Sequence, residues 1–344
     1  MRCNHFRMPL AIIALGVAAW PAAVQPALAS GPQGQKEKIL AMLAARSRAL
    51  QSFTARYHYS YQGFSNAAER AFVKKYLAKT EKSGAVGKVV KGPGGKFRYT
   101  YHLRFFKGWL RSTKRITSAT AKKEFAHGGA GSVDPSPVIK VWSPQRDESL
   151  SYTLVSKHPF GTISVAKLPV RVPLIWALGL LGMLSRHWIG PRTIRHLGLK
   201  PLGHGRWVLT QTSNISVPGV AGRAVARWTI RVAPQLAITG FTQRVGSYLV
   251  EEVSCSAFRS VGGLALPGTV VAKFWNGNFG LVAKYRLSRI RYRLSPRGNT
   301  PARCLIKFPV GAWVQDLRTA HTFRVTTRPT YLTDGEIYRH YYKP

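Results

Sequence analysis

Two stretches of the chain alternate apolar and polar side chains with period two. In the first, Phe53, Ala55, Tyr57, Tyr59 and Tyr61 interleave with Thr54, Arg56, His58, Ser60 and Gln62; in the second, Phe97, Tyr99, Tyr101, Leu103 and Phe105 interleave with Arg98, Thr100, His102 and Arg104. Successive side chains of a strand point to opposite sides, so each stretch predicts a strand with one apolar face and one polar to basic face. Ahead of them, Lys36 to Leu50 predicts an amphipathic helix with Ile39, Leu40, Leu43 and Leu50 on one side. From Trp207 onward the pattern predicts a succession of strands: Trp207 to Thr212, Ala224 to Val232, Ile238 to Gln243, Tyr248 to Phe258, Thr269 to Trp275, Leu281 to Tyr292 and Leu305 to Phe308. Short turn signals such as Gly262-Gly263 and Asn276-Gly277-Asn278 make neighbouring strands antiparallel. Near Ser288 the phase changes, since Tyr285 and Leu287 are apolar at odd positions and Ile290, Tyr292 and Leu294 at even ones, which predicts a bulge.

Between the two early strands, Asn66 to Leu77 reads as a helix and Gly84 to Lys96 as a flexible, basic connection. The latter is no nucleotide loop, because Gly95-Lys96 is followed by Phe97 where a Walker motif needs Ser or Thr. In the middle of the chain Leu174 to Leu184 is apolar all round. As a helix of eleven residues it would span about 16 Å, half a bilayer core, so it cannot cross a membrane. It is a buried core helix, a lid over an apolar cavity, or an element dipping into a membrane surface. The fold expected is mainly β within the α+β class: one large, curved antiparallel sheet with an N-terminal helix and a central apolar helix as lid or core. Residues 30–344 form one domain, with insertions around 64–96 and 165–205.

Charge changes this picture. The 344 residues include 52 Lys+Arg against 12 Asp+Glu, and no carboxylate occurs from Ser149 to Val250. Glycosidase pairs, two-metal clusters and calcium loops all need closely placed acids, so these chemistries are excluded there. Glu251 and Glu252 are adjacent on a strand and face opposite sides, so they cannot act as a pair. His158, His187, His196 and His204 are scattered, and neither His-Glu-x-x-His nor Gly-x-Ser-x-Gly occurs. The expectation is a protein that is not an enzyme and has no metal or cofactor.

Arg2 and Arg7, the apolar run from Pro9 to Trp20 and Ala27-Leu28-Ala29 have the form of a secretory signal cleaved after Ala29, which implies export to the periplasm. In that compartment Cys255 and Cys304 are candidates for a disulfide, closing a loop of about 50 residues worth roughly 4 kcal/mol. So few acids also predict tolerance of low pH, since acid unfolding is mostly the protonation of paired carboxylates.

The order of these features, with Phe308-Pro309-Val310-Gly311-Ala312-Trp313-Val314-Gln315-Asp316 matching a Pro-x-Gly-x-x-Val-x-Asp turn, and Glu251-Glu252-Val253 through Phe258, Gly263 and Leu266-Pro267 before it, resembles the LolA/LolB-like periplasmic lipoprotein-carrier superfamily. The resemblance implies a half-open barrel whose apolar cavity is capped by helices, and a lipid or acylated lipoprotein as partner. Residues expected at the cavity or lid are Leu174, Trp176, Leu178, Leu181, Leu184, Tyr57, Tyr59, Tyr99 and Tyr101. Residues expected at an anionic surface are Arg171, Arg186 and Arg192, which flank the apolar segment, and Arg289 and Arg291, which are expected on the outward faces of strands with Arg56, Arg98, Arg104, Arg227, Arg231 and Arg293. The function expected is a periplasmic carrier or sensor of lipid or lipoprotein acyl chains. The alternative is a cationic binder of anionic envelope polymers or membrane surfaces without a lipid cavity. Export argues against nucleic acid as partner, and a monomer is expected.

Overall fold

The computed structural model describes residues 31–63, 96–115, 139–143, 146–151, 159–165, 172–180, 189–213, 223–276 and 280–326. Helix α1 spans Pro32–Ala49. Pro32 opens it with a fixed φ, and Arg46 and Arg48 sit in its last turn, where cations favour the helix dipole. Strands follow as β1 (Ser52–Gly63), β2 (Lys96–Phe106), β3 (Trp109–Arg115), β4 (Ile139–Trp142), β5 (Arg146–Ser151) and β6 (Phe160–Val165). Then come a short helix α2 (Pro173–Ala177) and a 3₁₀ turn (Thr193–His196). The later strands are β7 (Gly198–Gly203), β8 (Arg206–Ser213), β9 (Ala224–Arg231), β10 (Ala237–Val245), β11 (Tyr248–Ser256), β12 (Arg259–Val261), β13 (Leu264–Leu266), β14 (Thr269–Asn276), β15 (Gly280–Leu294), β16 (Trp313–Asp316) and β17 (His321–Arg324).

Fifteen of these strands form one sheet in the order β17-β16-β6-β5-β4-β3-β2-β1-β15-β14-β11-β10-β9-β8-β7, and β12 and β13 pair separately. The sheet is curved, as the strand pattern predicts, and half-open, as the resemblance implies. Its centre is β1, which pairs with β2 on one side and β15 on the other. The phase change near Ser288 is a bulge: the β1–β15 register slips between Arg56 and His58, and Arg289 takes a φ of 53°. That extra residue lets Leu287 and Ile290 both face inward.

On the concave side α1 and α2 pack against the central strands in one large core. Trp176 is fully buried between Phe241 and Phe274, with both ring centroids at 6.0 Å, and its carbonyl accepts a hydrogen bond from Trp228 Nε1 at 2.9 Å. The helix is shorter than the apolar run suggests, because Gly179 follows with a φ of 70°. Residues 172–180 are buried, which corrects the membrane-dipping reading for that part.

Three further expectations change. Leu305 to Phe308 is not a strand. Its Ile306 and Phe308 instead join Val141, Leu150, Ile163 and Val314 in a second core on the opposite face of the sheet. Gly161 makes room for this crossing, since a Cβ there would collide with the Phe308 ring. The sheet is also not purely antiparallel, because β16 pairs with β6 in parallel. Finally, Cys255 and Cys304 are both free. Cys255 lies on the concave side near Arg46, and Cys304 lies under the C-terminal segment near Arg104 and Arg111, so the sheet separates them. Burial pushes their thiols up to about 12 and about 11. The expected helix at Asn66 to Leu77 and the expected signal lie outside the described residues, as does the connection at Gly84 to Gly95. Among the described residues no helix is long and apolar enough to cross a membrane.

Candidate functional site

Two places stand out, one on each face of the central strands. On the concave face the alternation of β1 and β2 stacks aromatic side chains beside α2. Tyr57 lies parallel to Tyr101 with centroids 5.7 Å apart, Tyr59 meets Tyr101 at 4.8 Å and Tyr285 at 5.5 Å, and Tyr285 meets Phe274 at 4.9 Å. Tyr57 and Tyr99 are buried, whereas Tyr59, Tyr101, Tyr285 and Phe274 are half-buried. Leu174, Trp176 and Leu178 are buried with them. The structure thus gathers the expected cavity residues on one side, although they pack against one another. Leu181 and Leu184 lie outside the described residues.

Arg46 was not foreseen. It projects from α1 into this interior and is 4% exposed. Its Nε, Nη1 and Nη2 are buried without a hydrogen-bond partner. The groups acting on its charge are Tyr292 and Cys255, and burial lowers its pKa to about 10. Burial raises the Tyr292 phenol and the Cys255 thiol, so both stay neutral at ordinary pH and neither compensates the guanidinium. A buried cation without a partner is costly, by several kcal/mol in effective terms.

On the convex face the polar residues of the same strands line a groove of about 880 Å³. Cross-strand register builds it in rows. One row runs Arg293, Thr54, Arg104, Arg111, and the next runs Arg291, Arg56, His102, Thr113. Arg115 extends the floor, and Arg297 and Arg303 form a wall from the chain after β15. That wall is pinned in place. Arg104 Nη1 donates to the Arg303 carbonyl at 3.1 Å, Arg111 Nη1 to the Leu305 carbonyl at 2.7 Å, and Asn299 Nδ2 to Ser52 Oγ and the Phe105 carbonyl, both at 2.9 Å. Among the described residues eight arginines line the groove and no carboxylate does. His102 is held neutral there, its pKa lowered first by burial and then by Arg115 and Arg56.

No family model matches the chain, and no curated protein matches it. Among solved structures it is similar to a LolA superfamily protein from Nitrosomonas europaea, at 10% identity over 75% of this chain and 94% of that one, with a TM-score of 0.35. It is also similar to a DUF1329 family protein from Desulfovibrio piger, at 10% identity over 78% of this chain and 96% of that one, with a TM-score of 0.39. At those values the two structures say nothing of what this chain binds, which has to be read from its own residues.

Of the arginines expected at an anionic surface, Arg291 lines the groove. Arg289 is exposed on the bulge beside it, and Arg192 is exposed near the 3₁₀ turn, away from it. Arg171 and Arg186 lie outside the described residues. Arg56, Arg104 and Arg293 face outward as the alternation says. Arg111, Arg115, Arg297 and Arg303 were missed. Period two in Trp109 to Arg115 could have found the first two; the last two depend on where the chain goes after β15.

Proposed function

We propose that the protein is an exported carrier or sensor that takes up an acidic lipid on the concave side of its sheet. The observation that carries this is Arg46, a buried guanidinium with no hydrogen-bond partner and no neighbouring carboxylate among the described residues. The anionic head of an acyl ligand would supply the missing acceptor, through a charge-assisted pair of the kind guanidinium favours. The half-buried rings of Tyr59, Tyr101, Tyr285 and Phe274 offer the acyl chain an apolar path, and α2 is the short element that would yield to it.

Displacement of an apolar fluorescent probe by oleate and by oleyl alcohol tests this, since the two differ in charge at the head. Oleate displaces the probe from the wild type at lower concentration than the alcohol, and Arg46→Met removes that preference while raising thermal stability. Equal displacement by both, or no probe binding at all, contradicts the reading. A second reading, a cationic binder of anionic envelope polymers or membrane surfaces, is favoured by the convex groove.

A further inference from the structure

We infer that the convex arginine groove is a binding site for a ligand bearing two or more closely spaced phosphate groups. The inference stands apart from the interior lipid site, and either can fail alone.

A basic outer face can simply be solvated, so the question is what separates this groove from the rest of the surface. Some cations away from the groove meet acids. Lys273 pairs with Glu252 at 2.9 Å, Arg146 with Glu148 at 2.7 Å and Arg318 with Asp316 at 2.7 Å. In the groove Arg56 stands directly opposite Arg291, as Arg206 does opposite Arg231 elsewhere on the sheet, and what the groove adds is eight arginines in one lining that holds no acid among the described residues. Directly opposed like charges destabilise a sheet, so this arrangement opposes folding until an anion occupies it.

The groove is also built rather than flat. Asn299, Arg104 and Arg111 hold the wall that brings Arg297 over a floor formed by four strands. Guanidinium supplies planar forks that engage phosphate oxygens bidentately, and no lysine lines the site. Neighbouring strands stand about 4.8 Å apart, so arginines across four strands span about 14 Å. A single monovalent anion cannot match that field. Several phosphates within one molecule can, each carrying up to two charges and several acceptor oxygens. Thr54 and Thr113 add hydroxyl donors among the arginines. The same chemistry occurs in the headgroup of a phosphorylated lipid and in a soluble oligophosphate.

The test uses the full chain with inorganic tripolyphosphate for the soluble source and phosphatidylcholine vesicles with and without phosphatidylinositol bisphosphate for the lipid source. Tripolyphosphate is expected to raise the thermal midpoint saturably, and its protection of Arg56 and Arg291 from phenylglyoxal, mapped by peptide mass spectrometry, places it in the groove of the unmutated protein. Arg56→Thr with Arg291→Thr weakens binding by about tenfold or more, as the loss of two charge-assisted contacts implies. Arg206→Thr with Arg227→Thr removes the same charge from exposed positions elsewhere on the sheet and is expected to weaken it by less than about twofold. Vesicle binding that needs phosphatidylinositol bisphosphate and is lost in the groove variant, without tripolyphosphate binding, assigns the lipid source. Binding of neither probe, equal loss in both double variants, or preference for a single-stranded oligonucleotide over both probes overturns the inference. Arg46→Met leaves tripolyphosphate binding unchanged, which keeps a failure here distinct from a failure of the interior site.

Discussion

One line of cross-strand neighbours crosses the convex face from Arg293 through Thr54, Arg104 and Arg111 to Val141, Glu148 and Ile163. Its two halves differ in what covers them. Over Val141, Glu148 and Ile163 lies the C-terminal segment with Ile306 and Phe308, and there the charge is matched: Glu148 accepts from Arg146 at 2.7 Å and from the Ile306 amide at 2.8 Å. Over Arg293, Thr54 and Arg104 lies the open groove, whose lining holds no carboxylate among the described residues. The same sheet face is therefore a core where the chain returns to it and a cation array where it does not. Burial tolerates a charge that has a partner, whereas an open groove tolerates repulsion because water and counter-ions screen it.

The sharpest way to break this contrast is in the covered half. Glu148→Leu leaves Arg146 buried without its acid and is expected to cost about 3–5 kcal/mol, measured by urea unfolding. A loss below about 1 kcal/mol would mean that the pair is exposed to water in solution. In the open half, removing charge has the opposite sign. Arg56→Thr with Arg291→Thr is expected to raise the stability of the ligand-free protein by a few tenths to about 1 kcal/mol, and a comparable loss would show that the arginines hold the sheet together.

A smaller effect is expected with pH. His102 has a depressed pKa, so its contribution is complete above the ordinary value of 6.5 and is lost as pH falls through the folded value. Glu148 behaves in the opposite way. Burial raises it above 4.5 despite Arg146 and the Ile306 amide, so its contribution is complete below that value and is lost as pH rises through the raised one. As pH falls the His102 contribution is lost while the Glu148 contribution is gained, so the two act in opposite directions, and thermal midpoints are expected to drift rather than collapse between about pH 6 and pH 3. A collapse would contradict the acid tolerance inferred from the scarcity of carboxylates.

Local patterns carried much of this into the sequence. Period two in Phe53 to Gln62 and Phe97 to Phe105 marks both faces of the central strands, and the phase change at Ser288 marks the bulge because one inserted residue must move every later side chain to the other side. What stays hidden is non-local. Ile306 and Phe308 look like strand residues, yet their partners are Val141 and Ile163, far back in the chain. The same crossing carries Arg297 and Arg303 into the groove and puts Cys304 on the other side of the sheet from Cys255. Arg46 falls three residues after Leu43 and four before Leu50, on the apolar side of the predicted helix, so its burial follows from helical spacing; which groups of the sheet lie opposite it does not.

The claim that an acidic lipid occupies the concave side is tested most directly by mass spectrometry of organic extracts from natively purified wild type and Arg46→Met. An acidic amphiphile in the wild-type extract, and its absence from the folded variant, is the predicted result. No extractable lipid in the wild type, or equal loading of both proteins, would contradict it.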